Sequence, residues 1–380
     1  MKTIYLDHAA TSPMHPDVVS EMMEVMTSVH GNPSSIHSFG RVARHQVDQA
    51  RAVLASSIRA KEQEIIFTSG GTESDNLAIF GVAKAMANKG RHLITTEVEH
   101  HAVLHAFQAL EKEGFSVTYL PVDHDGRISV DQLNEVITEE TTLVSIMYGN
   151  NEVGTIQPIK EIGHLLKDKE VYFHTDAVQA YGVEFLDVNE LNVDLLSTSS
   201  HKINGPKGIG FLYVREGTPL AVQQFGGEQE RKRRAGTENV ASIAGFKRAV
   251  EIAQSTIEEK RNQYEAWKKT FIGVLQEAEV DFKQNGSLEH SLPHVLNLSI
   301  PGAHVESLLV NLDLAGVAVS SGSACTAGSI DPSHVLVAMY GKYADELTNS
   351  VRFSFGFSTT EEEVEEAAKR LVNIIERWKK

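Results

Sequence analysis

The chain is poor in cysteine. Cys325 is the only one in 380 residues, which excludes an intramolecular disulfide and any cysteine-rich metal centre. It is also short of positive charge, with 35 Lys and Arg against 51 Asp and Glu and a formal net charge of −16. That balance argues against DNA, nucleic acid in general or a membrane surface as a partner, because all of them attract positive fields. No uncharged apolar run approaches the roughly 20 residues that a membrane-spanning helix needs. Residues 1–13 lack the apolar stretch of a secretory leader, since Asp7 and His8 arrive too early. Internal repeats, low-complexity linkers, a Gly-Lys-Ser/Thr phosphate loop and a His-Glu-x-x-His metal pair are all missing. What is present is an enzyme-sized chain, 41% apolar and 23% charged, expected in the cytoplasm. At about 150 residues per domain it should form two or three units.

Short β-branched runs at 64–68, 92–96, 117–120, 143–148, 171–176, 194–198 and 210–214 alternate with stretches suited to crossover helices, such as 73–88 and 101–113. Several runs are continuously apolar, as strands covered on both faces are. This rhythm predicts a largely parallel α/β sheet. The pattern changes after about Gly236. Residues 238–280 contain no proline and read as one or two helices bridging units, followed by strands at 295–299, 317–320 and 350–354 among helices. Near the end, Thr360 and Glu363 predict a capping box ahead of an apolar face of Val364, Ala367, Ala368, Leu371, Val372 and Ile375. The expected fold class is α/β, a large α/β domain followed by a smaller α+β one.

Several segments carry groups suited to chemistry. In Thr68-Ser69-Gly70-Gly71-Thr72-Glu73 a strand runs into two glycines and a helix start, where free N–H groups and the helix dipole suit a phosphate. The same pattern also serves as a tight turn with Thr72 as helix cap. In His174-Thr175-Asp176-Ala177 an apolar strand ends in an acid at the edge where open α/β sheets bind ligands. Asp176 there either holds a protonated heterocyclic nitrogen or caps a following helix containing Gln179. In Ser199-Ser200-His201-Lys202 a strand delivers a lysine that can lose its proton beside a desolvated cofactor and form a Schiff base. Lys207, inside a Pro-Lys-Gly turn, reads as solvated.

Cys325 lies in Ser320-Ser321-Gly322-Ser323-Ala324-Cys325-Thr326, a run of small residues unsuited to core packing, which points to a thiol that must be reached and must move. Seventeen histidines invite a metal, and His101 and His105 have i, i+4 spacing. Without a nearby cysteine they read as a surface pair, and no metal site is expected. The basic run 231–234 reads as a solvated loop or as support for a phosphate, with RNA contact as the alternative.

Five further segments stand in order with these: Tyr5-Leu6-Asp7-His8-Ala9-Ala10-Thr11, Gly31-Asn32-Pro33-Ser34-Ser35-Ile36-His37, Glu99-His100, Asn150-Asn151-Glu152-Val153-Gly154 and Arg234-Ala235-Gly236-Thr237. With them the chain resembles, from end to end, the pyridoxal-phosphate enzymes of fold type I in the class V aminotransferase group. More narrowly, it is similar to the cysteine desulfurases of the nitrogen-fixation and iron–sulfur-cluster type.

The resemblance implies a PLP-dependent transferase fold type I. A mostly parallel seven-stranded sheet would lie in a large cofactor-binding domain at 15–257, and 1–14 with 258–380 would form the small domain. It implies pyridoxal 5'-phosphate on Lys202, with Asp176 at the pyridinium nitrogen and Gln179 at the ring hydroxyl. Gly71, Thr72, Ser199 and His201 would hold the phosphate, joined by Thr237 from the other subunit of a homodimer. His100 would stack on the ring and exchange protons. Arg352 would clamp the substrate carboxylate, where a guanidinium fork suits better than lysine. Asn151 and Asn32 would help orient the amino acid, Asn151 also touching the cofactor.

The implied reaction takes L-cysteine to L-alanine and leaves a persulfide on Cys325, so Lys202, Cys325 and His100 are the catalytic set. The Ser-Ser-Gly-Ser-Ala-Cys form marks the subgroup with the longer, mobile loop. Some relatives continue past the last helix with a tail that docks a cluster scaffold, whereas this chain stops soon after it. The sulfur-acceptor protein, an iron–sulfur scaffold or a tRNA-thiolating enzyme, is therefore left open. Selenocysteine lyase and class V aminotransferase are the enzymatic alternatives, and the latter would not need Cys325. A non-catalytic binding protein on the same fold would be colourless.

Overall fold

The computed structural model describes residues 2–321 and 332–378. Strand β1 (Ile4–Tyr5) stands apart from the main sheet. The apolar runs form β2 (Ile65–Thr68), β3 (His92–Thr96), β4 (Ser116–Leu120), β5 (Thr141–Ser145), β6 (Tyr172–Asp176), β7 (Leu195–Ser199) and β8 (Gly210–Val214). They make one seven-stranded sheet in the order β2-β8-β7-β6-β5-β3-β4. Strand β8 runs antiparallel to β2 and β7, and all the other pairings are parallel.

Alternate residues of the strands face two apolar layers. Ile66, Leu93, Leu143, Leu195 and Leu212 meet Leu77, Val82, Phe107 and Leu110 of the helices Gly71–Met86 and His101–Lys112. Phe67, Ile94, Val144, Phe173 and Phe211 meet Val47 and Leu54 of Ser38–Ser57 and Phe246 and Val250 of Val240–Ser255. Each such buried side chain contributes about 1.5–3 kcal/mol.

The proline-free stretch forms two helices, Val240–Ser255 and Ile257–Glu277, separated at Thr256, whose φ of −125° and ψ of 9° leave the helical region. Beyond it, β9 (Lys283–Asn285) and β10 (Val295–Ser299) lead to the two-residue β11 (Val317–Ala318) and then to β12 (Ser350–Ser354). A second, antiparallel sheet has the order β12-β10-β9, and β11 pairs in parallel with β1. These elements share their own apolar cluster, including Leu6, Phe271, Leu298, Phe353 and Leu371. The last helix, Glu361–Trp378, starts with the expected box: Glu363 N–H donates to Thr360 Oγ1, and Thr360 N–H donates to Glu363 Oε2.

Three local expectations change. Strand β5 ends at Ser145 rather than at 148, and the following residues bring Met147, Gly149 and Asn151 into a cavity. Gly70, not Thr72, is the N-cap of Gly71–Met86. No helix follows Asp176. The Ala177 N–H extends the sheet by donating to Ser197 O, while Ala180 and Tyr181 N–H groups close a turn on Ala177 O, so Gln179 sits on a turn. Among the described residues no helix is long and apolar enough to cross a membrane.

Candidate active site

The C-terminal ends of β6 and β7, the start of the helix Gly71–Met86 and the wall made by β12 enclose a cavity of about 350 Å³. Gly71, Thr72, His100, Asn151, Asp176, Gln179, Ser199, His201, Lys202 and Arg352 all line it. Lys202 ends the short 3₁₀ turn Ser200–Lys202 that follows β7. Its Nζ donates to the main-chain oxygens of Ala9 and Ala10, the latter at 2.8 Å, so the N-terminal segment covers the amine.

Asp176 is buried beside this amine. Burial pushes its carboxyl up to about 6, while the Val178 N–H and the Lys202 charge pull the other way. Asp75, fully enclosed on the helix Gly71–Met86, is raised as well, by burial and then by Asp176. Two carboxyls this close do not both ionise without a cation between or above them. One donor atom each from Asp75, His100 and Asp176 lies within 4.8 Å of the others.

His100 caps the helix His101–Lys112. Its Nδ1 accepts the Ala102 N–H at 3.1 Å, which places the ring proton on Nε2. Burial and the Lys202 charge, with smaller contributions from neighbouring histidines, push its pKa down to about 4, so the ring is neutral near pH 7. His201, 3.1 Å from Thr11 Oγ1 through Nδ1, is pushed to about 4 by burial, Lys202 and Lys207. Gln179 is held at both ends: Nε2 donates to Ala9 O at 2.9 Å, and Oε1 accepts from His294 Nε2 at 3.2 Å. Arg352 Nη1 donates to Asn151 O and Nη2 to Asp7 Oδ1, each at 2.8 Å.

Two expected residues lie elsewhere in this chain. Asn32 is exposed on the loop before Ser38–Ser57, its Oδ1 accepting the Ser34 N–H, and Thr237 is exposed ahead of Val240–Ser255. Neither lines the cavity. Cys325 is outside the described residues, and the cavity reaches Ser320 and Ser321 of the same segment. In the basic run, Arg234 grips Glu73 with Nε and Nη2 at 2.7 and 3.1 Å, and Lys232 pairs with Glu228. Local support therefore fits Arg234 better than RNA contact does. Asp7 and Asp75 line the cavity, and the buried Glu99 lies behind it beside Met147, without any of them having been singled out for it. Glu99 was visible only as the neighbour of His100, and Asp75 reads as an ordinary polar position near a helix start.

The donor set fits pyridoxal phosphate. An amine, a buried acid for a ring nitrogen, and a helix N-terminus flanked by Ser199 and His201 for an anion converge on one cavity. The fold and site thus define a fold type I cofactor enzyme. Residues 4–367 match the class-V aminotransferases. The chain is 58% identical over 377 residues to "Putative cysteine desulfurase IscS 1" of Bacillus subtilis, covering 99% of this chain and 100% of that one. It is 46% identical to "Cysteine desulfurase IscS" of Clostridium botulinum, covering 99% and 95%. Its structure superposes on a solved "NifS-like protein" with a TM-score of 0.92, 36% identity and 99% and 100% coverage. The chain belongs to the class-V aminotransferase family and, within it, to the cysteine desulfurases, a group of pyridoxal-phosphate enzymes.

Proposed function

We propose that this chain is a cysteine desulfurase that holds pyridoxal 5'-phosphate at Lys202, converts L-cysteine to L-alanine and passes the sulfur through Cys325 to an acceptor protein. The observation that carries this reading is the meeting of the Lys202 amine with the buried Asp176 carboxyl in one cavity whose lining includes Ser320 and Ser321. When bound, pyridoxal phosphate supplies the electron sink that makes the substrate Cα proton removable.

The chain's own groups do the rest. Asp176 would keep a proton at the ring nitrogen, and a cation there would restore its charge despite burial. Gln179 would hold the ring hydroxyl, while Gly71, Thr72, Ser199 and His201 would hold the phosphate. Lys202 takes the Cα proton. Arg352 and Asn151 orient the substrate carboxylate, with Asn32 assisting. His100 covers the site as a neutral ring holding its proton at Nε2, so it acts on the substrate side as a donor. A free thiol has a pKa of about 8.5, so Cys325 must pass its proton to the substrate or to a neighbouring group of the site before it attacks. Its sulfur then bonds to the substrate sulfur as the C–S bond breaks. The electron pair of that bond goes to carbon, which is protonated to alanine, and Cys325 is left as a persulfide.

We read residues 15–257 as the large domain and 1–14 with 258–380 as the small one, supported by two main apolar clusters, the first drawn mostly from 15–257 with Ala9, Leu292 and Val295 joining it, and the second from the remainder. A homodimer, with Thr237 serving the partner's phosphate, is supported by the exposure of Met23, Met26, Ile36 and Phe39 in one stretch of chain. The acceptor is an iron–sulfur scaffold or a tRNA-thiolating enzyme.

Borohydride reduction followed by peptide mapping should label Lys202. Cys325→Ser should keep the yellow cofactor and lose sulfide release. A label on another residue, or normal turnover by the serine variant, overturns the reading. Comparing rates on cysteine and selenocysteine decides between this reading and the lyase alternative.

A further inference from the structure

His101 and His105 lie one turn apart on the helix His101–Lys112, with ring centroids 5.2 Å apart. The fold adds a third ring. His334 begins the helix His334–Tyr340, and its centroid is 4.7 Å from that of His101. Two imidazoles on one tetrahedral zinc, with Zn–N bonds of about 2.0–2.1 Å, hold their centroids about 5 Å apart. Each of these two spacings suits a shared ion, but the donor nitrogens of all three rings do not yet lie within 4.8 Å of one another, so the near-parallel rings of His101 and His105 must turn to meet it.

The hydrogen bonding points the same way. His334 Nε2 lies 2.9 Å from the main-chain oxygen of Glu99. A carbonyl only accepts, so the proton is on Nε2 and Nδ1 is the ring nitrogen with the lone pair. A metal-bound histidine is oriented in this way by a carbonyl or carboxylate behind it. His101 Nδ1 is buried and has no hydrogen-bond partner among the described residues, although buried polar atoms are nearly always satisfied. His105 is exposed, so its ring can turn.

We propose that His101, His105 and His334 bind one divalent transition-metal ion per chain, zinc being an ion that three imidazole donors suit, with water in the open fourth position. The expectation of no metal rested on two histidines in sequence. The third comes from a residue 229 positions after His105, which only the fold brings near. The ion would tie the helix His101–Lys112 to His334–Tyr340 beside His100, whose ring is 6.4 Å from that of His101. The inference does not depend on the desulfurase reading.

Calorimetric titration of the holoenzyme with Zn²⁺ tests it. The background is Cys325→Ser, which removes the one competing thiol. One ion per chain is expected, with affinity at least tenfold weaker on adding His105→Gln or His334→Gln. His105 is exposed, so its variant should match the background in thermal melting. With Cys325 present, His105→Gln should also match wild-type sulfide release in zinc-free buffer. Undiminished affinity in both histidine variants, or no stoichiometric binding in the Cys325→Ser background, overturns the proposal.

Discussion

Arg352 Nη2 stands 2.8 Å from Asp7 Oδ1, joining the two ends of the chain on the cavity wall. Asp7 follows β1, and Arg352 lies in the middle of β12, whose neighbour Ser354 forms a bridge with Asp7. Two donors of the guanidinium are thus committed to Asp7 and Asn151, while its buried Nε has no partner among the described residues. On the proposed role of Arg352, a substrate carboxylate would have to share the fork with Asp7.

Replacement of Arg352 should therefore be severe, and replacement of Asp7 should act in the opposite sense on binding. Arg352→Lys keeps the charge but loses the planar fork. Its kcat/KM for cysteine should fall at least about 30-fold, the equivalent of about 2 kcal/mol for a damaged buried charge pair. Asp7→Asn should lower KM by releasing one guanidinium edge. Steady-state kinetics on both variants check this, and an unchanged kcat/KM for Arg352→Lys would remove Arg352 from the substrate site.

Gly70 holds φ at 147° and ψ at −173°, a region open essentially only to glycine, at the N-cap of the helix whose first residues line the cavity. Gly70→Ala should cost about 1–3 kcal/mol and lower Tm by a few degrees. The same strain should shift the N–H groups of Gly71 and Thr72 and weaken cofactor affinity tenfold or more. Gly217→Ala is the control. That residue has φ of 93° with nothing near its Cβ and lies outside the cavity, so stability should fall while cofactor affinity stays. Absorbance titrations with pyridoxal phosphate and thermal melts of both variants separate the two effects.

The main sheet was legible because most of its strands are buried on both faces and several spell nearly continuous apolar runs. Strands β1 and β11 were not fully legible, since two-residue elements carry no period and their pairing joins Ile4 to Val317 across nearly the whole chain. The stretch after Asp176 looks helical by composition, yet the Ala177 N–H is taken by Ser197 O, so tertiary pairing overrides local propensity. Within the site, Lys202 and Asp176 were readable as strand-end residues. Asp75 was not, because a carboxyl in the second turn of a helix normally faces water. Here the helix lies flat on the sheet and turns Asp75 toward His174, 3.6 Å away. The positions of Asn32 and Thr237 follow from no local pattern, and only the family resemblance named them.

Glu99 offers a pH test of the polar layer beneath the site. Its Oε1 accepts from Thr96 Oγ1 at 2.8 Å, and both its oxygens accept the Met147 N–H, at 3.0 and 3.1 Å. Burial nonetheless pushes its pKa up to about 8; those bonds oppose the rise, and the nearby Asp176 adds to it. The sign follows from linkage. Below the ordinary carboxyl value of about 4.3, Glu99 is protonated whether the chain is folded or unfolded, and its favourable contribution is complete. As pH rises toward about 8 the unfolded chain ionises while the folded one keeps its proton, so unfolding releases a proton. Stability attributable to Glu99 should fall across that window by up to about 1.4 kcal/mol per pH unit and level off above it. Glu99→Gln is neutral, nearly isosteric and keeps an acceptor for Thr96 and Met147, so it should remove this slope. Urea unfolding of wild type and Glu99→Gln in parallel reads the difference directly. Two curves of equal slope throughout the window would mean that Glu99 is already ionised in the folded protein, with its charge carried by the Met147 and Thr96 donors.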